Sequence, residues 1–324
     1  MSNEIIAVKD LKTYFLVKNT KNDSTYVRAV DGVDFTINEG EIMGLVGESG
    51  SGKSTVAYTI MGMNKPCGGE IILNGENVIG KGNKRTLAFK KSVQIVFQDP
   101  GSSLNPYQDV KQILSLPLKV HKIVENNKIE DKITEILDMV ELPPSFMYKE
   151  PNSISGGEKQ LVSIARALCS DPKFIILDEP TSSLDVSIQA KIINMLLKLH
   201  KERKLTFLFI THDLSLMRNI STKVAIMYLG KICEIAPTED FFKNPCHPYT
   251  QMLLSAIPVI SEEEEALKPK KSEPKGEIPS PVDIPIGCSF NTRCNQKMDI
   301  CCIEDPVMNE ISEGHKIRCH LYKQ

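Results

Sequence analysis

Gly47-Glu48-Ser49-Gly50-Ser51-Gly52-Lys53-Ser54 stands between an apolar stretch, Glu41 to Val46, and a segment of helical character, about Ser54 to Met63. The order of strand, glycine-rich turn and helix gives these eight residues their meaning. Glycines let the backbone curl until several N–H groups face one point. The start of the following helix adds favourable partial charge at the same place. A chain of phosphates suits that cradle. Lys53 is placed to reach β and γ phosphates, the Ser54 hydroxyl to ligate Mg²⁺, and Thr55 to lie beside it on the α-phosphate side. A glycine-rich turn without a ligand is the alternative, and the rest of the chain weighs against it.

Phe174-Ile175-Ile176-Leu177-Asp178-Glu179 is an apolar strand ending in two carboxylates. Asp178 is placed to hold Mg²⁺ through water, and Glu179, one residue on, to polarise an attacking water. Thr211-His212-Asp213 ends the next strand, and His212 is placed to hydrogen-bond a γ phosphate. Gln98, in Phe97-Gln98-Asp99-Pro100, also follows a strand and can touch both Mg²⁺ and water. The plainer readings are a solvated acidic turn, a structural histidine and an ordinary loop glutamine. Between Gln98 and Asp178 lies Ser153-Ile154-Ser155-Gly156-Gly157-Glu158-Lys159-Gln160, in which Ser155 and the Gly156 and Gly157 amides open a helix and form a second anion site.

Alternating strands and helices around a phosphate loop imply a largely parallel sheet covered on both faces. Strands are expected over Ile5 to Val17, Val27 to Ile37, Glu41 to Val46, a pair at Glu70 to Leu73 and Ser92 to Phe97, then Phe174 to Asp178 and Leu205 to Ile210. A polar loop, Asn19 to Thr25, divides the first two. From Tyr107 to Cys169 the spacing is helical, as in Ile129, Ile133, Ile136 and Val140, and reads as a separate lobe. A further helix carries Ile188, Ile192, Met195 and Leu199 on one face. Pro258 to Pro285 is rich in Pro, Glu, Lys and Ser and reads as an extended linker to a cysteine-rich tail.

At 324 residues the chain is long enough for about two domains. It is 41% hydrophobic and 25% charged, an ordinary globular balance, and its net charge of −2 leaves no footprint for nucleic acid. No apolar run approaches the ~20 residues that span a bilayer, and Met1-Ser2-Asn3-Glu4-Ile5-Ile6 does not begin a secretory signal. The chain is therefore expected in the cytosol, reaching a membrane only by docking on proteins that span it. Structural disulfides are not expected there, although the chain has 9 cysteines.

In their order, Gly47–Ser54, Gln98, Ser155-Gly156-Gly157, Asp178-Glu179, Ser183-Leu184-Asp185 and His212 resemble the full motif set of the ABC ATPases. The resemblance implies a P-loop NTPase of α/β class: a mainly parallel core sheet, an antiparallel β subdomain, an inserted α-helical lobe and a small Cys-rich C-terminal segment. It implies ATP and Mg²⁺ as ligands, with Mg²⁺ held by Ser54, Gln98 and Asp178. Lys53, Glu179 and His212 are its catalytic residues. It also implies that Ser155, Gly156 and Gly157 cap the γ phosphate bound by a second subunit, so that two ATPs are sandwiched in a head-to-tail dimer. Ser183-Leu184-Asp185 would cross that interface, and an aromatic residue near the first strand would stack on adenine. Phe15 is favoured by spacing, then Tyr14, with Arg28 a further candidate and packing on alternating strand faces the other reading. Two departures stand out: Glu158 where Gln is usual, and Leu161 where Arg is common.

A narrower resemblance rests on Phe97-Gln98-Asp99-Pro100, Ser103-Leu104-Asn105-Pro106, Asn244-Pro245-Cys246-His247-Pro248-Tyr249-Thr250 and the tail from Gly287 to His320. These are similar to the ATP-binding subunits of oligopeptide/dipeptide importers. The similarity implies an ATPase domain over 1–244, with its helical lobe at about 107–170, and an oligopeptide-transporter-type C-terminal region over 245–324. The partners it implies are a second, different ATPase subunit, two membrane-spanning permease subunits and an external peptide-binding protein, with this chain on the cytoplasmic face. Another cargo, such as nickel, and a soluble ABC ATPase of DNA repair or translation are the alternatives. The same resemblance assigns Cys288, Cys294, Cys301 and Cys319 to a [4Fe–4S] cluster, with Cys302 as a substitute for Cys301. Four thiolates suit such a cluster; zinc, or reduced thiols with no metal, are the other readings of the residues alone.

Overall fold

A computed structural model of the chain describes residues 4–20, 23–79, 84–182, 184–257 and 276–322. Ser183 and most of the expected linker lie outside the described residues. In chain order the strands are β1 (Glu4–Thr20), β2 (Asp23–Asn38), β3 (Ile42–Val46), β4 (Gly68–Leu73), β5 (Glu76–Asn77), β6 (Val93–Val96), β7 (Phe174–Asp178), β8 (Thr206–Thr211), β9 (Lys223–Tyr228), β10 (Lys231–Pro237), β11 (Asn309–Ser312) and β12 (His315–Ile317). The helices are α1 (Lys53–Ile60), α2 (Leu87–Ser92), α3 (Pro100–Ser103), α4 (Val110–Val120), α5 (Ile129–Met139), α6 (Gly156–Leu168), α7 (Val186–Arg203), α8 (Leu214–Ile220), α9 (Thr238–Lys243) and α10 (Pro248–Ser255). They fall into two compact units.

One unit is built from Leu73–Ile210 with two short earlier pieces. Here β6, β7 and β8 run parallel, with Ile176 opposite Ile95 on one side and Leu208 on the other. Every residue of β7 and β8 is buried. That is why both read as unbroken apolar runs: a parallel strand covered on both faces has no solvent side to make polar. Their carboxyl ends deliver Gln98 and Asp178-Glu179 to one edge of the sheet, where open α/β sheets bind ligands. The helices α4, α5 and α6 pack on one another. Ile129, Ile133, Ile136 and Val140 are all buried, as the helical spacing predicts. Asp109 starts α4 with a reciprocal cap to Gln112, and Ser155 starts α6 in the same way with Glu158.

The other unit holds Ala7–Thr36, Ile42–Ile72 and the chain from Thr211 onward. In it β3 pairs in parallel with β9, Gly44 opposite Val224. β9 turns back into antiparallel β10 through Leu229-Gly230, both with positive φ, the geometry of a tight hairpin. β10 pairs with β12, and β12 with β11, both antiparallel. In a separate sheet β1 lies between β2 and β4.

Two expectations need correction. Glu70 to Leu73 and Ser92 to Phe97 do form strands, but in different sheets, so they are not a pair. The cysteine-rich tail is not an appendage on a linker: its β12 is hydrogen-bonded to β10 as a strand of the same sheet. A few buried anchors hold it. Ile317, Phe290 and His315 are all buried, and each buried large apolar side chain contributes roughly 1.5–3 kcal/mol. Mean composition over the tail conceals such anchors because they are few.

Buried Glu234, at the irregularity in β10, fastens this region further. It accepts hydrogen bonds from the Cys246 N–H and the His247 N–H, both at 2.9 Å, and its Oε1 lies 2.8 Å from His315 Nε2. Glu234, Cys246 and His315 bring their ligand atoms within 4.8 Å of one another. The carboxylate has these three hydrogen-bonding partners, and the cluster is a hydrogen-bonded hub.

Candidate active site

The phosphate loop joins β3 to α1. Gly50 and Gly52 have φ of 77° and 106°, values that L side chains rarely adopt. At Gly52 the space is also closed, because a Cβ there would overlap the Ala29 carbonyl oxygen. At Gly47 it would overlap the Met227 carbonyl. Gly52 is thus required twice, for the turn and for close approach, while Gly50 serves the turn and Gly47 the close approach. The N-terminus of α1 has no side-chain cap and no acidic residue in its first turn, so its leading N–H groups favour an anion. Lys53, buried, donates from Nζ to the Gly47 carbonyl at 2.8 Å and the Glu48 carbonyl at 2.9 Å, and lies 3.4 Å from Ser51 Oγ. Its charge sits inside the curl, where the β and γ phosphates are expected. Phe15, on β1, is 41% exposed and offers a ring face, whereas Tyr14 donates its hydroxyl to Asp31 and stacks against Arg28. Phe15 is thus the more exposed of the two aromatic candidates.

At the edge of the parallel strands, Asp178 is completely buried as the last residue of β7. Glu179 follows with a φ of 45°, unusual for a residue with a side chain. Its N–H is held by the Ile210 carbonyl of β8 at 3.0 Å. Gln98 Nε2 donates to Glu179 Oε2 at 3.1 Å. Sequence reasoning placed both residues at strand ends; the structure brings their side chains together. His212 follows β8 directly and is exposed.

Ser155 caps α6 and is exposed with Gly156. The Glu158 carboxylate accepts the Ser155 N–H at 2.7 Å, and this bond holds its pKa below the usual carboxylate value. Glu158 is therefore turned back into the cap. Gly157 has Ile188 of α7 against it so closely that a Cβ would lie 2.7 Å from a methyl carbon. Leu161 is buried.

In the cysteine segment, Cys301 is buried and Cys302 exposed. The Cys288 N–H donates to the Cys301 carbonyl at 2.9 Å, and Asn291 ties that carbonyl to the Ile286 carbonyl. Cys288, Cys294, Cys301 and Cys319 are near enough to act on one another electrostatically. Burial pushes the Cys288 thiol up to about 12 and the Cys319 thiol to about 11. The inward cysteine is thus Cys301, not its neighbour.

A contact that sequence reasoning missed joins this segment to the phosphate loop. Arg293, buried and one residue before Cys294, donates to both Glu48 carboxylate oxygens, at 2.7 Å and 3.0 Å. No spacing rule connects positions 48 and 293.

Comparison with known proteins identifies the class. A family model described as ABC transporter matches residues 30–182, and one described as oligopeptide/dipeptide transporter, C-terminal region, matches 233–301. The chain is 43% identical over 320 residues to the putative oligopeptide transport ATP-binding protein YkfD of Bacillus subtilis (strain 168), covering 98% of this chain and 96% of that protein. It is 42% identical over 321 residues to the oligopeptide transport ATP-binding protein AppF of the same organism, covering 98% and 97%. Among solved structures, an ATP-binding cassette dimer in a post-hydrolysis state bound to ADP and Pi superposes with a TM-score of 0.62 at 27% identity, over 72% of this chain and 98% of the other. The fold is that of an ABC ATPase. The chain belongs to the oligopeptide/dipeptide ABC transporter family as an ATP-binding subunit, and ATP hydrolysis coupled to transport is its activity. Such ATPases work as dimers with a membrane permease. No helix among the described residues is long and apolar enough to cross a membrane.

Replacing Gly52 by Ala sets a methyl group against the Ala29 carbonyl at a φ of 106°. The expected outcome is loss of Mg-ATP binding by at least about tenfold, read by equilibrium titration, with the thermal unfolding transition retained. Wild-type affinity in that variant contradicts the assignment of the loop.

Proposed function

We propose that this chain energises the uptake of oligopeptides or dipeptides across the cytoplasmic membrane, docked as a peripheral subunit on its cytoplasmic face. The observation that carries this reading is the C-terminal match at 233–301, which extends the resemblance beyond the ATPase core to a region described for oligopeptide/dipeptide transporters. We divide the chain into an ATPase domain over 1–244, with its helical lobe at about 107–170, and a C-terminal region over 245–324. The partners are a second, different ATPase subunit, two permease subunits and an external peptide-binding protein.

Gly47, Glu48, Ser49, Gly50, Ser51, Gly52, Lys53, Ser54 and Thr55 hold the triphosphate, and Phe15 supports the adenine. Ser54, Gln98 and Asp178 hold Mg²⁺, which when bound neutralises charge on the β and γ phosphates. Glu179 orients water: the water oxygen bonds to the γ phosphorus as the bond to the β-phosphate oxygen breaks, and the water proton leaves toward the carboxylate. His212 holds the γ phosphate in line. Lys53, with the Ser-Gly-Gly signature loop of the partner subunit, stabilises the charge of the transferred group. Ser155, Gly156 and Gly157 of this chain serve the partner's nucleotide in return.

Cys288, Cys294, Cys301 and Cys319 hold a [4Fe–4S] cluster in this reading. What supports this reading is that four cysteines near enough to act on one another electrostatically offer the four thiolates such a cluster takes. The cluster staples the segment.

Three outcomes are expected. Labelled di- and oligopeptides enter cells only when this chain is present, and detergent-solubilised permease subunits co-purify with it; nickel uptake without peptide uptake contradicts the cargo. In a transporter whose other nucleotide site is silenced, Glu179→Gln retains ATP and slows hydrolysis at least about 100-fold; an unchanged rate refutes the role. Protein purified without oxygen contains iron and absorbs visible light, and both fall in Cys301→Ser; absence of iron from the wild-type protein ends the cluster reading.

A further inference from the structure

Glu48 is an awkward residue for a loop that wraps a polyanion. Its carboxylate belongs to the same short stretch whose N–H groups face phosphate, and an uncompensated negative charge there opposes ATP. The fold answers from the far end of the chain. Arg293 grips Glu48 with both prongs of its guanidinium, at 2.7 Å and 3.0 Å. The Tyr249 hydroxyl lies 3.2 Å from the same carboxylate, and the Glu48 N–H donates back to the Tyr249 oxygen at 3.1 Å. The Glu48 carbonyl takes Lys53 Nζ at 2.9 Å. Carboxylate, amide and carbonyl of one loop residue are therefore all fixed.

The grip is built, not incidental. Arg293 is 6% exposed, and its guanidinium carbon lies 5.8 Å from the Tyr228 ring centre and 5.9 Å from that of Phe290. Those two rings meet edge to face at 5.3 Å, and Tyr249 packs on both. A planar fork stacked on aromatic faces and bonded twice to one carboxylate is a task for Arg that Lys performs only in part.

We propose that Arg293 is a positioning residue of the triphosphate site, acting through Glu48 to neutralise its charge and hold the curl of Gly47–Ser54. This rests on the reading that the loop holds ATP. It makes the cysteine segment, through the residue beside Cys294, part of the nucleotide site.

The test compares Mg-ATP KM and kcat of the assembled transporter, with its other nucleotide site silenced, for Arg293→Met, Arg293→Lys, Glu48→Gln and the Arg293→Met/Glu48→Gln pair. Arg293→Met is expected to raise KM about tenfold while kcat falls less than about threefold. Arg293→Lys gives an intermediate KM. The double variant is no worse than Arg293→Met alone, because the two residues act as one unit. A purely structural anchor for the tail is not relieved by removing the Glu48 charge, so multiplying effects overturn the proposal. So does a wild-type KM in Arg293→Met or, where that variant fails to assemble, a KM for Arg293→Lys within about twofold of wild type. Lys53→Met is the control: if it binds Mg-ATP as wild type does, the reading of the loop itself fails instead.

Discussion

A peptide backbone can gather its N–H groups around phosphate only if it curls against the preference of residues with side chains. That constraint governs this protein. The curl at Gly47–Ser54 needs positive φ at Gly50 and Gly52 and bare backbone at Gly47 and Gly52, where the carbonyls of Met227 and Ala29 press close. β2, β3 and β9 must then stand where they do, since they are what the glycines approach. The charge that makes the loop useful, Lys53, is satisfied meanwhile by the Gly47 and Glu48 carbonyls. A phosphate would add an opposite charge to the acceptors that Lys53 already has.

The catalytic edge follows a different rule. Parallel strands buried on both faces can present polar groups only at their ends. β7 therefore carries nothing polar until Asp178, and Glu179 emerges through a strained turn that sets its carboxylate beside Gln98. The signature loop obeys helix capping. Ser155 and Glu158 close the start of α6 reciprocally and leave Ser155 and Gly156 exposed. Glu158, the residue that departs from the usual pattern, performs the same cap as an amide and adds its charge to the positive end of the helix.

Much of this was legible in the sequence because the signals are local. The loop, the strand ending in Asp178-Glu179 and the stripe Ile129, Ile133, Ile136, Val140 each declare themselves within a few residues. So does the run Val224 to Tyr228, whose five buried residues mark β9 and were there to be read. What escaped is non-local. β12 is three residues long and finds its place by pairing with β10, some eighty positions earlier in the chain. Arg293 and Glu48 meet only because the tail returns to that sheet and the aromatic group of Tyr228, Tyr249 and Phe290 closes over the junction. The tail looked weakly apolar on average, yet Phe290 and Ile317 are buried in it.

The central claim is that a triphosphate is held by Gly47–Thr55 of this chain while Ser155–Gly157 reaches over the partner's nucleotide. Amide hydrogen exchange of the assembled transporter, with and without Mg-ATP under non-hydrolysing conditions, tests it directly. The account predicts that both segments gain protection together on adding nucleotide. Protection at 47–55 with none at 155–157, or no change in either, contradicts it.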